Sequence, residues 1–260
     1  MKIISLNTWG ARTDHKKFLN FFDKNRHIAD VFCLQEVWHF TQDNYKKSTF
    51  STEKVLLVEA ITRNAMIDLF SQVRKILFNH KGFFYPHRGS CFGLATFIKN
   101  DIKLVEEGDV FVFKDRTFDP KEDVGNHARN IQYVTVKTKN GLRTIINFYG
   151  LWNKEGKGDT EDRLSQSDNI IKFIKNLSNP FIICGDFNLL PDTESLRKFE
   201  DFGLRNLIKE YGITSTRTSL YKKEHRFADY VFVSEGIIVN EFKILLDEIS
   251  DHCPIFLDIL

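Results

Sequence analysis

Short apolar runs separated by polar turns dominate the chain, and one of them ends in an abrupt change of chemistry. Residues 181–184, Phe-Ile-Ile-Cys, are typical of a strand covered on both faces. Gly185-Asp186-Phe187-Asn188 follows directly, and the glycine permits a backbone conformation that a Cβ would resist. Asp186 and Asn188 point to one side if the chain stays extended. The pattern predicts either a strand end suited to a metal-activated water or a phosphate oxygen, or a turn that caps the next helix.

Similar runs predict a largely β-structured chain with interspersed helices. Asn140-Gly141 is the strongest short-range hairpin signal, and it joins the alternating residues 131–136 to a return strand over 142–149. Further strands are predicted over residues 2–6, 30–36, 82–85, 94–98, 110–113, 227–233, 237–246 and 255–260. Since polar residues follow several of these runs, functional groups are expected at the ends of strands.

Helical spacing of apolar residues predicts four helices. Asp14 is placed to cap the first, whose core-facing residues are predicted to be Phe18, Leu19, Phe22 and His27. A long amphipathic helix is predicted over residues 65–77, after a polar connection over 41–52. A third follows Asp159 with Leu164, Ile171 and Ile174 inward, and a short fourth runs from Asp192 to about residue 200.

The chain opens with a strand, a helix and a second strand. In open α/β sheets, sites lie beyond the carboxyl ends of strands. Asn7 and Glu36, which close the first two strands, are therefore expected at one rim of a sheet. Residues 114–128 show no periodicity and many charges, so they are either a mobile loop beside the substrate or a solvated insertion.

Composition supports a globular protein and narrows its setting. The chain has 260 residues, 42% of them hydrophobic, with 25 phenylalanines, so we expect a single domain over residues 1–260. The four cysteines stand far apart, which favours buried reduced thiols over zinc or disulfides. No apolar run approaches a membrane span and no signal peptide is evident, so a cytoplasmic monomer is expected. The net charge of +2 neither demands nor excludes nucleic acid.

Acids, amides and a histidine close almost every apolar strand. These residues are Asn7, Glu36, Tyr149 or Asn153, Asp186 with Asn188, Asp229, and Asp251 with His252. A polar turn would explain any one of these residues, but chance does not explain why such residues close almost every apolar strand. Hard oxygen ligands without a thiolate cluster favour Mg²⁺ or Mn²⁺ over zinc.

Five short motifs, in order along the chain, resemble those of the endonuclease/exonuclease/phosphatase superfamily. They are Leu6-Asn7, Leu34-Gln35-Glu36, Gly185-Asp186-Phe187-Asn188, Ala228-Asp229-Tyr230 and Ser250-Asp251-His252. The resemblance implies a four-layer sandwich, in which two mostly antiparallel mixed β-sheets pack face to face and are flanked by helices. It also implies a metal-dependent hydrolase of phosphoric esters.

The resemblance assigns a role to each matched position. Glu36 would bind the divalent ion with help from Asn7 and Asp251. Asp186 would polarise or deprotonate the attacking water, and Asn188 would orient that acid and touch the phosphate. His252, held by Asp229, would hydrogen-bond a phosphate oxygen. Arg129 and Trp152 are assigned to substrate binding, as are Asn7 and Asn188.

Tyr149 departs from most of the superfamily, in which a histidine acts on the leaving group or the phosphate. Abasic-site endonucleases resemble this chain in having tyrosine there, although Gly150-Leu151-Trp152 does not match their Val-Pro-Asn context. A phenol titrates near pH ~10 and an imidazole near ~6.5, so Tyr149 is a hydrogen-bond donor but a poor proton shuttle.

Among substrates, a phosphodiester of nucleic acid is favoured, which makes a nuclease the leading hypothesis. A basic cluster before Asp229 favours a polyanionic substrate, although a solvated loop would explain it equally well. The cluster comprises Arg217, Lys222, Lys223, His225 and Arg226. Trp9, Trp38 and Trp152 are candidates to stack on a base, and for Trp38 a packing role fits the sequence equally well. The alternatives are a phosphatase, a phospholipid head-group phosphodiesterase, or a binding module with an impaired active site.

Overall fold

Two six-stranded β-sheets form the centre of the computed structural model, which describes residues 1–41, 52–115 and 127–260. The first sheet has the order β11-β12-β1-β2-β4-β3 and consists of β1 (Lys2–Asn7), β2 (Val31–Trp38), β3 (His80–Arg88), β4 (Phe92–Lys99), β11 (Val239–Ile244) and β12 (Ile255–Ile259). The second has the order β5-β6-β7-β8-β10-β9 and consists of β5 (Lys103–Phe113), β6 (Arg129–Thr138), β7 (Gly141–Tyr149), β8 (Phe181–Asp186), β9 (Arg205–Asn206) and β10 (Asp229–Val233). Helices flank them, which confirms the predicted sandwich.

Each sheet is antiparallel except for a single parallel pair. This pair is β1 with β2 in the first sheet and β7 with β8 in the second. The helices are α1 (His15–Asn25), α2 (Thr52–Thr62), α3 (Leu69–Ile76), α4 (Glu161–Ile174), α5 (Glu194–Asp201) and α6 (Leu207–Glu210), with a short 3₁₀ turn at Trp9–Ala11. Asp14 caps α1 as predicted, because its carboxylate accepts a hydrogen bond from the amide of Lys17. No helix in the described ranges combines the length and apolarity needed to cross a membrane.

The near-continuous apolar runs of β1 and β2 are explained by burial on both faces. Ile3, Val31 and Cys33 join the cluster that includes the second sheet, while Ile4 and Phe32 join the cluster beneath α1 and α3. All four cysteines are free and buried, as expected.

A belt of buried amides and hydroxyls joins the two sheets beside this apolar core. The Gln35 side-chain amide donates to Asn147 Oδ1 at 2.7 Å, and Thr96 Oγ1 donates to Gln132 Oε1 at 2.9 Å. The Asn147 amide also donates to two backbone carbonyls of the first sheet. Because buried polar groups are costly unless paired, this belt fixes how the sheets sit on each other.

Some helical predictions are wrong in their details. The helix predicted over residues 65–77 is confined to Leu69–Ile76, because Asn64 adopts a positive φ of 55° and the Met66 amide bonds to the carbonyl of Gly10. A separate helix, α2, occupies residues just before it. His27 lies beyond the end of α1 and is exposed.

The inner face of α4 is more polar than predicted. Ile174 is buried, but Leu164 and Ile171 are only half-buried, and Arg163 and Gln166 point inward instead. Both polar side chains bond the backbone of the preceding loop, since Gln166 Oε1 accepts from the Leu151 amide and Arg163 donates to carbonyls of that loop. Hydrogen bonds to the loop backbone therefore decide which residues of α4 point inward, rather than the spacing of its apolar residues. Residues 42–51 and 116–126 of the two predicted connecting segments lie outside the described residues.

Candidate active site

The parallel strand pairs bring predicted site residues to one edge of the sandwich. Asn7 ends β1 beside Gln35 of β2, and Tyr149 ends β7 beside Asp186 of β8. Asp229 opens the antiparallel strand β10 directly opposite Asp186. The carboxyl ends of strands from both sheets therefore meet here, and the sequence had predicted only that Asn7 and Glu36 share one sheet rim.

Glu36 reaches the site through an irregularity in its strand. The pairing of β2 with β4 shifts register between Leu34 and Val37, and Glu36 itself has a φ of +54°. A non-glycine residue in this region is held there only by its surroundings, and bulges commonly re-aim a side chain beside an active site. The bulge explains why a residue within a buried strand presents its carboxylate to the cavity.

Asn7 links the two sheets at the site. Its Nδ2 donates to Glu36 Oε1 at 3.1 Å and to Asp186 Oδ2 at 2.8 Å, and its Oδ1 accepts from the Trp9 amide at 2.9 Å. The amide nitrogen, rather than the oxygen, thus faces the carboxylates. Asn7 fixes the spacing of the two acids from opposite sheets.

Tyr149 is bound to the same acid. Its hydroxyl donates to Glu36 Oε1 at 3.0 Å. Burial, together with the negative charge of Glu36, raises the pKa of Tyr149 well above its usual value. The phenol therefore stays protonated and serves as a fixed donor. Burial alone would raise the pKa of Glu36. That pKa is nevertheless lowered, because Glu36 lies near Arg12 and His252 and accepts hydrogen bonds from Asn7 and Tyr149.

Asp229 and His252 form a closely hydrogen-bonded pair. His252 Nδ1 lies 2.9 and 2.8 Å from the two carboxylate oxygens of Asp229, so this nitrogen carries the proton that it donates. Burial lowers the pKa of His252 and raises that of Asp229. His252 Nε2 stands 3.6 Å from Asp186 Oδ2 and 3.8 Å from Asp251 Oδ1. Asp229 thus fixes the tautomer and directs Nε2 toward the acids.

Asp186 and Asn188 hold the strand end that the sequence singled out. Gly185 has a φ of +145°, and a Cβ there would lie 1.9 Å from the Phe148 carbonyl oxygen, so the glycine is required. Asp186 Oδ1 accepts from the Asn188 amide at 2.8 Å, and burial raises the pKa of Asp186. The following helix α5 is capped by Asp159, whose carboxylate accepts from the amides that begin it. The helix-capping interpretation of Asp186 is therefore wrong.

Asp251 has one engaged oxygen and one unengaged oxygen. Its Oδ2 accepts from Arg217 Nη1 at 2.8 Å in an almost fully buried ion pair. Within the described part of the chain, its buried Oδ1 has no hydrogen-bond partner. A buried carboxylate oxygen without a partner is costly unless a cation or a ligand occupies it.

The donor set at this edge fits a hard divalent cation. Glu36 and Asp251 both line the cavity, and Asp251 has the oxygen without a partner in the described residues. Ligand atoms of Asp186, Asp229 and His252 also lie within 4.8 Å of one another. Because both oxygens of Asp229 are engaged by His252, we interpret that group as a positioned acid–imidazole pair. Oxygen donors of this kind suit Mg²⁺ or Mn²⁺.

The site opens into a cavity of about 710 Å³ with a basic lining. Its cationic residues are Arg12, Arg63, Arg88, Arg129, Lys157, Arg217, Lys222 and Lys223. Sequence reasoning missed Arg12, Lys157 and His127 among the lining residues. Lys157 is 9% exposed, its Nζ donates to the Phe227 carbonyl at 2.7 Å, and burial with the nearby Arg217 lowers its pKa to about 8. Its position in Gly156-Lys157-Gly158 was the one available signal.

The predicted substrate-binding residues differ in their surroundings. Trp152 is 37% exposed at the rim of the cavity. Arg129 is fully buried, and its guanidinium donates to the carbonyls of Gly150, His127 and Ala128 and lies 4.8 Å from the centre of the Tyr149 ring. For Trp38 the sequence left base stacking and packing open, and the structure supports packing, since this side chain is buried against Phe40 and Phe92.

The site combines acids suited to a metal with a positioned acid–imidazole pair inside a basic cavity, and this combination is compatible with the chemistry of phosphate esters. The sequence agrees with this chemistry, because residues 4–252 match the model of the Endonuclease/Exonuclease/phosphatase family. The chain belongs to this family, whose members hydrolyse phosphoester bonds. No curated protein matches the chain in sequence.

Solved structures from this family have the same fold. A family member from Leptotrichia buccalis is 20% identical with a TM-score of 0.70, and the match covers 100% of this chain and 99% of that one. A mannosyl-6-phosphatase of Bacteroides thetaiotaomicron is 15% identical, with a TM-score of 0.69 and coverage of 100% and 99%. The human nocturnin catalytic domain with bound sulfate is 19% identical, with a TM-score of 0.62 and coverage of 100% and 93%. At such identities the likeness shows the fold alone.

Proposed function

We propose that this protein is a Mg²⁺- or Mn²⁺-dependent phosphodiesterase, most specifically a nuclease, that uses an activated water. The observation that carries the proposal is the hydrogen-bonded chain across the two sheets, in which Asn7 joins Glu36 to Asp186 while Asp229 orients His252 toward the same point. Phosphoryl transfer depends mainly on positioning and on stabilising charge, and this arrangement supplies both.

Asp186 is proposed to accept the proton of the attacking water. Burial raises its pKa, and an acid of raised pKa is a better general base than a free carboxylate. Asn188 holds one Asp186 oxygen through its backbone amide, which leaves the other oxygen toward Asn7 and His252. His252 Nε2 and the Asn188 side chain are proposed to contact the phosphate.

The cation is proposed to be held by Glu36 and Asp251, with Asn7 and Tyr149 fixing the Glu36 carboxylate. When bound, a divalent ion supplies positive charge that stabilises the developing charge on phosphate oxygens. Lys157 and Arg217, which also line the cavity, are proposed to add to this positive field.

Two features support a nucleic acid strand as the substrate. Trp152 and the half-buried Trp9 line the cavity, and aromatic faces at such a rim can stack on unpaired bases. Lys222, Lys223 and His225 extend the basic lining outward, where flanking phosphates of a strand would pass. We therefore place the scissile bond in a single-stranded or frayed segment rather than in an intact duplex.

A phosphatase acting on a small phosphomonoester is the second candidate. The volume of about 710 Å³ lies in the range of small-molecule pockets, so a sugar-sized ester fits within the cavity. One of the structural neighbours is a mannosyl-6-phosphatase, which makes this chemistry compatible with the fold.

A substrate panel tests the proposal. Hydrolysis of bis(p-nitrophenyl) phosphate, single-stranded and duplex DNA, RNA and several sugar phosphates is measured with Mg²⁺, with Mn²⁺ and with chelator. We expect metal-dependent turnover that is lost in Asp186→Ala and highest on single strands. Highest turnover on monoesters would select the phosphatase. Equal rates in wild type and Asp186→Ala would favour a binding module with an impaired site.

A further inference from the structure

A buried histidine of the cavity wall, His127, is backed by a second buried histidine, His87, which packs against the Tyr149 ring. His87 of β3 and His127, which precedes β6, stack with their ring centres 5.6 Å apart and an interplanar angle of 14°. The His87 ring centre is 5.6 Å from that of Tyr149. His127 is 6% exposed and lines the cavity, and no role in the chemistry above uses it.

Hydrogen bonds determine which nitrogen of His87 carries its proton. The Asn130 Nδ2 donates to the Asp109 carboxylate at 3.0 Å, so Asn130 Oδ1 is the atom that faces His87 Nδ1 at 3.1 Å. That oxygen only accepts, and His87 Nδ1 therefore donates. Burial, with Arg129 close by, lowers the pKa of both imidazoles well below the usual value, so both rings are neutral.

Three other ring nitrogens of the pair have no hydrogen-bond partner among the described residues. They are His87 Nε2 and both nitrogens of His127, and all three atoms are buried. A buried polar atom without a partner is unfavourable, which makes such atoms rare in native proteins. A neutral imidazole offers one donor and one acceptor, the same pair that an alcohol hydroxyl requires.

This wall is fixed rigidly to the catalytic groups. The Arg129 guanidinium donates to the carbonyls of His127, Ala128 and Gly150 and covers the Tyr149 ring, whose hydroxyl holds Glu36. A group bound beside His127 would therefore lie at a constant distance from the metal-binding acid. Such a geometry suits the alcohol half of a phosphoester whose phosphate rests at Glu36.

We propose that His127, backed by His87, forms a subsite that hydrogen-bonds a hydroxyl on the alcohol half of the substrate, such as a sugar hydroxyl. The inference rests on the proposed phosphoesterase function, and it adds a preference for substrates whose alcohol half carries a free hydroxyl, as RNA does and an internal DNA nucleotide does not. His127 is the specificity-determining residue, and His87 positions it by stacking.

The test uses two matched ligand pairs that differ in hydroxyl groups. Glycerol 3-phosphate is compared with propyl phosphate, and ribose 5-phosphate with pentyl phosphate, each as an inhibitor of bis(p-nitrophenyl) phosphate hydrolysis and as a ligand in calorimetry. We expect wild type to bind at least one hydroxylated member roughly five- to tenfold more tightly, the value of one or two neutral hydrogen bonds. His127→Leu should bring that ratio close to one, and His127→Gln, which keeps a donor and an acceptor, should retain part of it.

A control variant and a spectroscopic readout make the result decisive. His80→Leu removes another buried imidazole, one whose nitrogens bond Asn79 and Ala29 outside the cavity lining, and it should keep the wild-type ratio. In wild type, the ring ¹⁵N signals of His127 should move with the hydroxylated ligands and not with the alkyl phosphates. The same spectra serve if His127→Leu fails to fold.

The two possible failures are separable. Asp186-dependent hydrolysis without any preference within either ligand pair would overturn the subsite and leave the phosphoesterase intact. A preference that survives in His127→Leu would also overturn it, and would show that the unpartnered nitrogens hold only water. Absence of hydrolysis would overturn the phosphoesterase, while the calorimetric ratios would still decide for or against the subsite.

Discussion

The inner and outer parts of the cavity are built in different ways. The inner part consists of acids, an amide and a histidine near strand ends, which are joined by hydrogen bonds of 2.8–3.1 Å. Asn7 donates to Glu36 and Asp186, and His252 donates to Asp229. The outer part carries exposed basic and aromatic side chains such as Lys222, Lys223 and Trp152. Preorganised groups lower a reaction barrier, whereas exposed charges mainly capture and steer a ligand. Substitutions should therefore act on kcat in the inner part and on KM in the outer part.

Asp186→Ala tests the inner part most severely. Removing the proposed general base should lower kcat by about 10³-fold, within the range for acid–base catalysis. Steady-state hydrolysis of bis(p-nitrophenyl) phosphate at saturating Mg²⁺ measures the effect. Asp192→Ala is the matched control, because Asp192 is exposed only six residues away. A loss of less than tenfold in Asp186→Ala would assign the base to another group.

Asp229→Asn and His252→Ala test whether these residues act as one unit. Each single change should lower kcat by roughly 10²- to 10³-fold, because the imidazole is either misoriented or absent. Since His252 Nδ1 bonds both Asp229 oxygens, the double variant should be little worse than either single one. Multiplicative losses in this cycle would show that the two residues contribute independently.

Glu36→Gln and Tyr149→Phe test the cation-binding acid and its support. Glu36→Gln should weaken Mn²⁺ binding about 100-fold, and Tyr149→Phe, which removes the bond to Glu36 Oε1, about tenfold. Isothermal titration of Mn²⁺ into each purified variant gives the affinities directly. Glu235→Gln, an exposed acid outside the cavity lining, is the control. Wild-type affinity in Glu36→Gln would place the ion elsewhere.

The smallest effects belong to the outer part. The double variant Lys222→Ala/Lys223→Ala should raise KM for a single-stranded oligonucleotide a few-fold, with a smaller change in kcat. The dependence of log KM on log salt concentration should become shallower, because fewer counterions are released on binding. Rates are compared between 50 and 200 mM salt. An effect on kcat as large as that on KM would contradict the division between inner and outer parts.

Sequence patterns predicted much of this molecule for identifiable reasons. Apolar runs such as residues 181–184 mark buried strands, and Asn140-Gly141 marks a hairpin, because both signals depend only on neighbouring residues. The prediction of helix 65–77 was wrong because its beginning is set by a distant contact, from the Met66 amide to Gly10. The choice between stacking and packing for Trp38 was open for a similar reason, since Phe92 of the distant strand β4 packs against it.

The sequence by itself determined the strands, their polar ends and the chemical nature of the site, because strand periodicity and residue type are local properties. It also marked Gly185 as a residue that must lack a Cβ. Only the tertiary structure decided how those ends face one another: that Asn7 spans two sheets, that a bulge turns Glu36 into the cavity, and that the His127 nitrogens find no hydrogen-bond partner within the described residues. These features depend on packing between residues far apart in the chain, for which a single sequence carries no local signal.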